Sequence, residues 1–207
     1  FYELVKKADI VVSNFSPGVT TRLGIDYAAL SNINERIITC TITGFGETGP
    51  AYKRPAFDMV AQGYGGGMSI TGQEGSPPTR AGIPIGDLGG GMFGAIGILA
   101  ALHARERTGH GQHIDISMQD CQISLVNYMA TMYFLSDEVP GALGNAHFVH
   151  VPYNTYPTKD RWLIIAVITN EAWTRFRDML DIEELKNDEF DLQPGRLAAK
   201  DFIEEHI

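Results

Sequence analysis

Residues 82–105 read GIPIGDLGGGMFGAIGILAALHAR, and this stretch organises the chain. One carboxylate, Asp87, stands between Ile83-Pro84-Ile85 and a run of Gly, Ala, Ile, Leu, Met and Phe with no further charged residue until Arg105. A run that apolar predicts a helix buried on nearly every side. Gly90, Gly94, Gly97 and Ala101 recur at helical spacing and share one face, where small residues let a neighbour approach closely. Each such glycine costs a helix about 1 kcal/mol relative to Ala, so packing has to supply the stability. Asp87 has two compatible readings. As an N-cap it accepts from the free N–H groups of a first turn. As an ionised carboxylate at a helix N-terminus it is also a usable nucleophile toward an activated acyl group.

The flanks set the fold class. Residues 8–15 form a short apolar strand, Pro17-Gly18 turns the chain, and Thr20 or Thr21 can cap a helix through Leu30. Arg36 to Thr43 is β-branched and apolar on both faces, as a strand inside a parallel sheet requires. Gly44 to Pro55 is a loop, Ala56 to Tyr64 a helix, His113 to Ser117 a strand, and Met118 to Leu135 a second long helix. This rhythm is an α/β, Rossmann-like open sheet. Beyond it, 137–150 reads as a linker between a large domain (1–136) and part of a smaller α+β domain (151–207). The smaller part opens on a hairpin turning at Lys159-Asp160-Arg161, followed by a helix Glu171–Leu180 capped by Asn170 and a last helix from Arg196 to Ile207. The chain starts at Phe1 inside a helical pattern, so an internal piece of a longer polypeptide is expected.

Composition excludes several classes. The formal net charge of −9, without a basic stripe, argues against a nucleic-acid partner. Cys40 and Cys121 lie far apart without a CxxC spacing and read as buried thiols of a cytoplasmic protein. No signal peptide and no membrane-spanning apolar run is expected. Gly89, Gly91 and Gly94 satisfy G-x-G-x-x-G, but they lie inside the apolar helix, which weakens a dinucleotide reading. His147 and His150 lack a third ligand, so no metal site is expected. The loop Asn14-Phe15-Ser16-Pro17-Gly18 joins a strand to a helix, the edge where open α/β sheets bind ligands. An ordinary turn explains it equally well. Arg22, one turn on, can meet a phosphate or stay solvated.

Several segments in order are more specific than any one of them. ADIVVSNFSPGV, LGIDYAAL, RIITCTITGFGETGP, RPAFDMVAQ, GDLGGGMFGAIGILAALHARERTGHGQHIDISMQD and GNAHFVHVPYNTYPTKD together resemble the family III coenzyme A transferases (CaiB/BaiF type), which include formyl-CoA transferase and the carnitine CoA-transferases. The resemblance implies a catalytic aspartate at Asp87. It implies a coenzyme A site at Asn14, Phe15, Ser16, Arg22, Leu23, Arg54, Pro55 and Phe57, with no permanently bound cofactor and no metal. It further implies an interlocked homodimer and a reaction between an acyl-CoA and a small carboxylic acid through an aspartyl anhydride and an aspartyl-CoA thioester. Backbone amides of nearby glycines would stabilise the oxyanions.

The α-methylacyl-CoA racemases share this fold. Their proton-transferring histidine would fall in RPAFD, where this chain has Phe57, and a phenyl ring carries no proton. A third reading is a non-catalytic CoA-binding subunit in which Asp87 is only a cap. Two departures from the family pattern stand out: Arg161 where a glycine is usual, and no glycine-rich loop near Gly144.

Overall fold

Three parallel strands, β1 (Ile10–Ser13), β2 (Ile38–Thr43) and β3 (His113–Ser117), lie in that order in the computed structural model, which describes residues 1–207. Val12 pairs with Cys40 and Cys40 with Ile114, so β2 is central. Five of its six residues, all but Ile42, are buried, and this explains why the strand carries no charged side chain on either face. The chain divides into two units, Phe1–Thr71 with Pro77–Gly141, and Gly72–Ser76 with Ala142–Ile207. The boundary at Gly141 falls inside the stretch 137–150.

Helices of the first unit are α1 (Tyr2–Val5), α2 (Val19–Leu23), α3 (Tyr27–Ser31), α4 (Asp58–Tyr64), α5 (Ile85–Thr108), α6 (Met118–Leu125) and α7 (Asn127–Ser136). The helix expected to run to Leu30 is two. Gly24 ends α2 in the left-handed region at φ 69°, and Asp26 caps α3 by accepting from Ala29 N–H at 2.9 Å. Gly18, not a threonine, stands at the N-cap of α2. The long helix expected after β3 is also broken, at Val126, where φ −90° and ψ 13° leave the helical region.

The central helix α5 lies against the sheet through its small residues. A Cβ on Gly90 would sit 3.1 Å from Ile42, one on Gly94 3.3 Å from Ile42, and one on Gly97 2.9 Å from Ile114. The glycines therefore bring the helix axis close to β2 and β3, which is the stabilisation the low propensity demanded. At its far end Arg105 is buried, donating to Arg36 O at 2.9 Å and pairing with Asp9 at 2.9 Å. The helix is not buried on nearly every side: Leu88, Met92, Ile96 and Leu99 are 48 to 66% exposed. By length and composition α5 is apolar enough to cross a membrane, contrary to expectation.

The second unit pairs β4 (Tyr153–Pro157) antiparallel with β5 (Trp162–Ala166) and adds α8 (Asn170–Leu180), α9 (Gln193–Ala198) and α10 (Lys200–Glu205). Its core is Val151, Val167, Trp173, Leu185, Phe190 and Ile203. Thr169, rather than Asn170, caps α8, accepting from Ala172 N–H at 3.1 Å. The last helix is divided at Ala199. Arg161 stands outside the positive-φ region, so its turn has no need of a glycine there.

Candidate active site

The site is built on the first turn of α5, where the N–H groups of Ile85, Gly86 and Asp87 have no partner within the helix and Pro84 has no N–H. Ile85 N–H donates to Ile83 O at 2.8 Å, and Leu88 N–H makes the first helical bond, to Pro84 O at 2.9 Å. The remaining two, from Gly86 at 2.8 Å and Asp87 at 3.4 Å, go to one carboxylate oxygen of Asp58 on α4. Asp87 is therefore the third residue of the helix, and the cap comes from a residue 29 positions upstream. This corrects the reading of Asp87 as N-cap: Pro84 stands at the N-cap, and the donors of the first turn are already satisfied by Asp58. Gly86 makes the arrangement possible, since a Cβ there would lie 2.9 Å from the Asp58 carbonyl oxygen and 3.1 Å from Ala61 Cβ.

The Asp87 carboxylate is exposed and makes no hydrogen bond or ion pair. It lines a cavity of about 520 Å³ with Asn14, Phe15, Ser16, Arg54, Pro55 and Phe57. Seven of the nine residues expected at the site thus meet in one space within the first unit. The two that do not, Arg22 and Leu23, lie on α2. There Arg22 folds back so that a Cβ on Gly18 would be 3.4 Å from its guanidinium, and Leu23 is 58% exposed.

The lining has one carboxylate, Asp87, and one cation, Arg54, with no histidine, cysteine or tyrosine. Arg54 is held by stacking: its guanidinium carbon lies 5.0 Å from the Tyr64 ring centre and 5.8 Å from that of Phe45. Phe57 presents an almost free ring, 81% exposed. An electrophile entering this cavity meets an unpaired carboxylate, and an anion meets Arg54. The expected oxyanion donors are not at the start of α5, because all four first-turn N–H groups are engaged. Within the lining, the Asn14 amide and the Arg54 guanidinium are the side chains able to donate N–H bonds.

Sequence reasoning passed over Asp58 and Gln62. An acid opening a helix with a glutamine four residues on was the available signal, since such pairs share a helix face. Gln62 donates to Asp58 at 2.7 Å and accepts from Ala81 N–H at 2.8 Å. The G-x-G-x-x-G glycines lie wholly inside α5, with no glycine loop between strand and helix. In the second unit, His147 Nδ1 accepts the N–H groups of Val149 at 3.0 Å and His150 at 3.1 Å, and the two imidazoles lie tilted at 38° with centres 4.6 Å apart.

A sequence model described as CoA-transferase family III matches residues 1–207. The chain is 37% identical over 205 residues to the acetyl-CoA:oxalate CoA-transferase of Acetobacter aceti, covering 98% of this chain and 53% of that protein. It is 38% identical over 198 residues to the succinate–glutarate CoA-transferase of Agrobacterium fabrum, covering 95% of this chain and 50% of that one. A CaiB/BaiF family protein from Brucella suis superposes with a TM-score of 0.85 at 36% identity, over 99% of this chain and 56% of the other. The chain spans about half the length of the curated relatives it matches.

Proposed function

The chain belongs to CoA-transferase family III, and we propose that it moves coenzyme A from an acyl-CoA to a free carboxylic acid with Asp87 as nucleophile. The observation that carries this is the unpartnered Asp87 carboxylate lining a cavity with no other carboxylate. In the first step a carboxylate oxygen attacks the thioester carbonyl carbon. The C–S bond breaks, coenzyme A leaves as thiolate, and a mixed aspartyl anhydride remains. The thiolate then attacks the aspartyl carbonyl, releasing the donor acid and leaving an aspartyl-CoA thioester. The acceptor carboxylate repeats the exchange in reverse: it displaces the thiolate to form a second anhydride, and the thiolate returns to the acceptor's acyl carbon. No water is consumed, and Asp87 ends as it began.

Arg54 supplies the positive charge in the lining for an anionic group, and the rings of Phe15 and Phe57 supply flat apolar surface. A racemase of the same fold needs a second proton carrier opposite the aspartate. Phe57 supplies none, and no histidine lines this cavity. We place the reaction in the cytoplasm, a reading supported by two free, buried thiols. The active form is a homodimer, supported by the exposed apolar stripe of α5.

The test is mass spectrometry of the protein mixed with acetyl-, succinyl- and glutaryl-CoA, with hydroxylamine added to trap acyl-aspartyl species. A mass change on the peptide holding Asp87, absent in Asp87→Asn, is expected for at least one donor. Oxalate, mesaconate, glutarate and succinate form the acceptor panel, following the relatives' substrates. Full transfer by Asp87→Asn would sink the proposal.

A further inference from the structure

A nucleophile whose side chain makes no hydrogen bond or ion pair is placed by its backbone. Asp87 is such a residue, and its backbone N–H is held at 3.4 Å by Asp58, whose other oxygen accepts from Gln62 Nε2 at 2.7 Å. Gln62 is 1% exposed, and its own oxygen accepts from Ala81 N–H at 2.8 Å. One buried amide therefore ties the segment leading into α5 to the carboxylate that caps it. Across the turn, Gln122 of α6, 2% exposed, donates to Ile85 O at 3.0 Å. The joint is also tight, since a Cβ on Gly65 would lie 2.2 Å from Gln122 Cβ.

We infer that Gln62 is a positioning residue for the reaction, orienting Asp58 so that the first turn of α5 presents Asp87 to the cavity. This rests on the proposed role of Asp87. The neutral amide is the side chain suited to the place. It gives an N–H to the carboxylate and takes an N–H from Ala81 in the same plane, which a carboxylate or a hydrocarbon cannot do. An error of about 1 Å in a reacting group costs on the order of 100-fold in rate, so a loosened relay has a kinetic consequence out of proportion to its size.

Two substitutions test this. Gln62→Leu removes both bonds and is expected to lower kcat about 10- to 100-fold with KM for acyl-CoA little changed. Gln62→Glu carries a distinguishing signature. When protonated, the introduced carboxyl still donates to Asp58 and accepts from Ala81. When ionised, it loses the donor and sets a second anion beside Asp58. The other charged or titratable groups on the surrounding elements are Tyr64 on α4, Arg80, which donates to Ala81 O at 3.2 Å, Asp87 on α5, and Asp120 and Cys121 on α6, while the turn 67–70 brings none. The Gln62→Glu enzyme should therefore approach wild-type kcat at low pH and lose it as pH rises, a limb the wild type lacks. Amide hydrogen exchange at Ala81, Gly86 and Asp87 should accelerate in Gln62→Leu, whatever the activity.

Wild-type kcat in both variants, or an equal loss at every pH in Gln62→Glu, would overturn the inference. If Gln62→Leu fails to fold, the pH profile of Gln62→Glu decides. Undiminished transfer by Asp87→Asn would instead remove the functional reading, and the exchange rates would still decide whether Gln62 holds the turn.

Discussion

At the scale of single residues, the proposed nucleophile is a side chain with no partner, and the architecture rests on side chains with many. Asp87 is exposed and unpaired, whereas Asp58 accepts three hydrogen bonds. Gly86 sits between them. Gly86→Ala would add helix propensity of about 1 kcal/mol. It would also drive a methyl against the Asp58 backbone at 2.9 Å. Overpacking of that kind costs about 1–3 kcal/mol, so a net loss of stability is expected in urea unfolding, with a larger loss of transfer activity as the turn shifts. In the second unit the corresponding hub is Arg196, fully buried, donating to the carbonyls of Val151, Phe190 and Asp191 and to the side chains of Asn170 and Gln193. Its guanidinium also lies over the Trp173 ring at 5.4 Å. Arg196→Met would strand those acceptors, and a loss of about 3–5 kcal/mol is expected from denaturation followed by tryptophan fluorescence.

At the scale of elements, boundaries follow local donors and acceptors. The loop before β4 is held by His147, whose Nδ1 accepts two backbone N–H groups. Burial first, and then the neighbouring His150, push its pKa below the ordinary 6.5. Its folded value thus lies below the unfolded one, so its contribution is present above pH 6.5 and is lost as pH falls through the folded value. Unfolding midpoints should decline on acidification below about pH 6.5, and His147→Asn, which keeps an acceptor but does not titrate, should flatten that slope. The helices repeat the lesson about boundaries. Apolar spacing showed where a helix ran but not where Gly24 or Val126 interrupts it, because a break depends on one residue's dihedrals rather than on a periodic pattern.

At the scale of the whole molecule, the exposed stripe Leu88, Met92, Ile96 and Leu99 on α5 is the largest conflict between sequence and surface. Such a patch marks an interaction face. If a homodimer covers it, as proposed, Ile96→Lys should shift the protein to monomer in light scattering coupled to size exclusion, while Met179→Lys on the exposed face of α8 should not. A dimer unaffected by the Ile96 change would move the interface elsewhere.

Much of this was readable without coordinates. β-branched runs announced a parallel sheet because a strand covered on both faces has no polar side. The Gly90, Gly94 and Gly97 spacing announced close packing because small residues recurring at helical period leave one face without bulk. Seven of the nine residues expected at the site gathered in one cavity because strand ends and helix starts converge at the same sheet edge. Three matters awaited the folded chain. Asp58, not Asp87, caps α5, since capping goes to whichever acceptor the fold brings to the donors, here from 29 residues away. Gln62 became visible only once Ala81 and Asp58 were seen on either side of it. And the glycine spacing marked the close-packed face of α5, but apolar residues all round carry no record that the face of Leu88, Met92, Ile96 and Leu99 stays uncovered. Local chemistry is written along the chain, but distance across space is not.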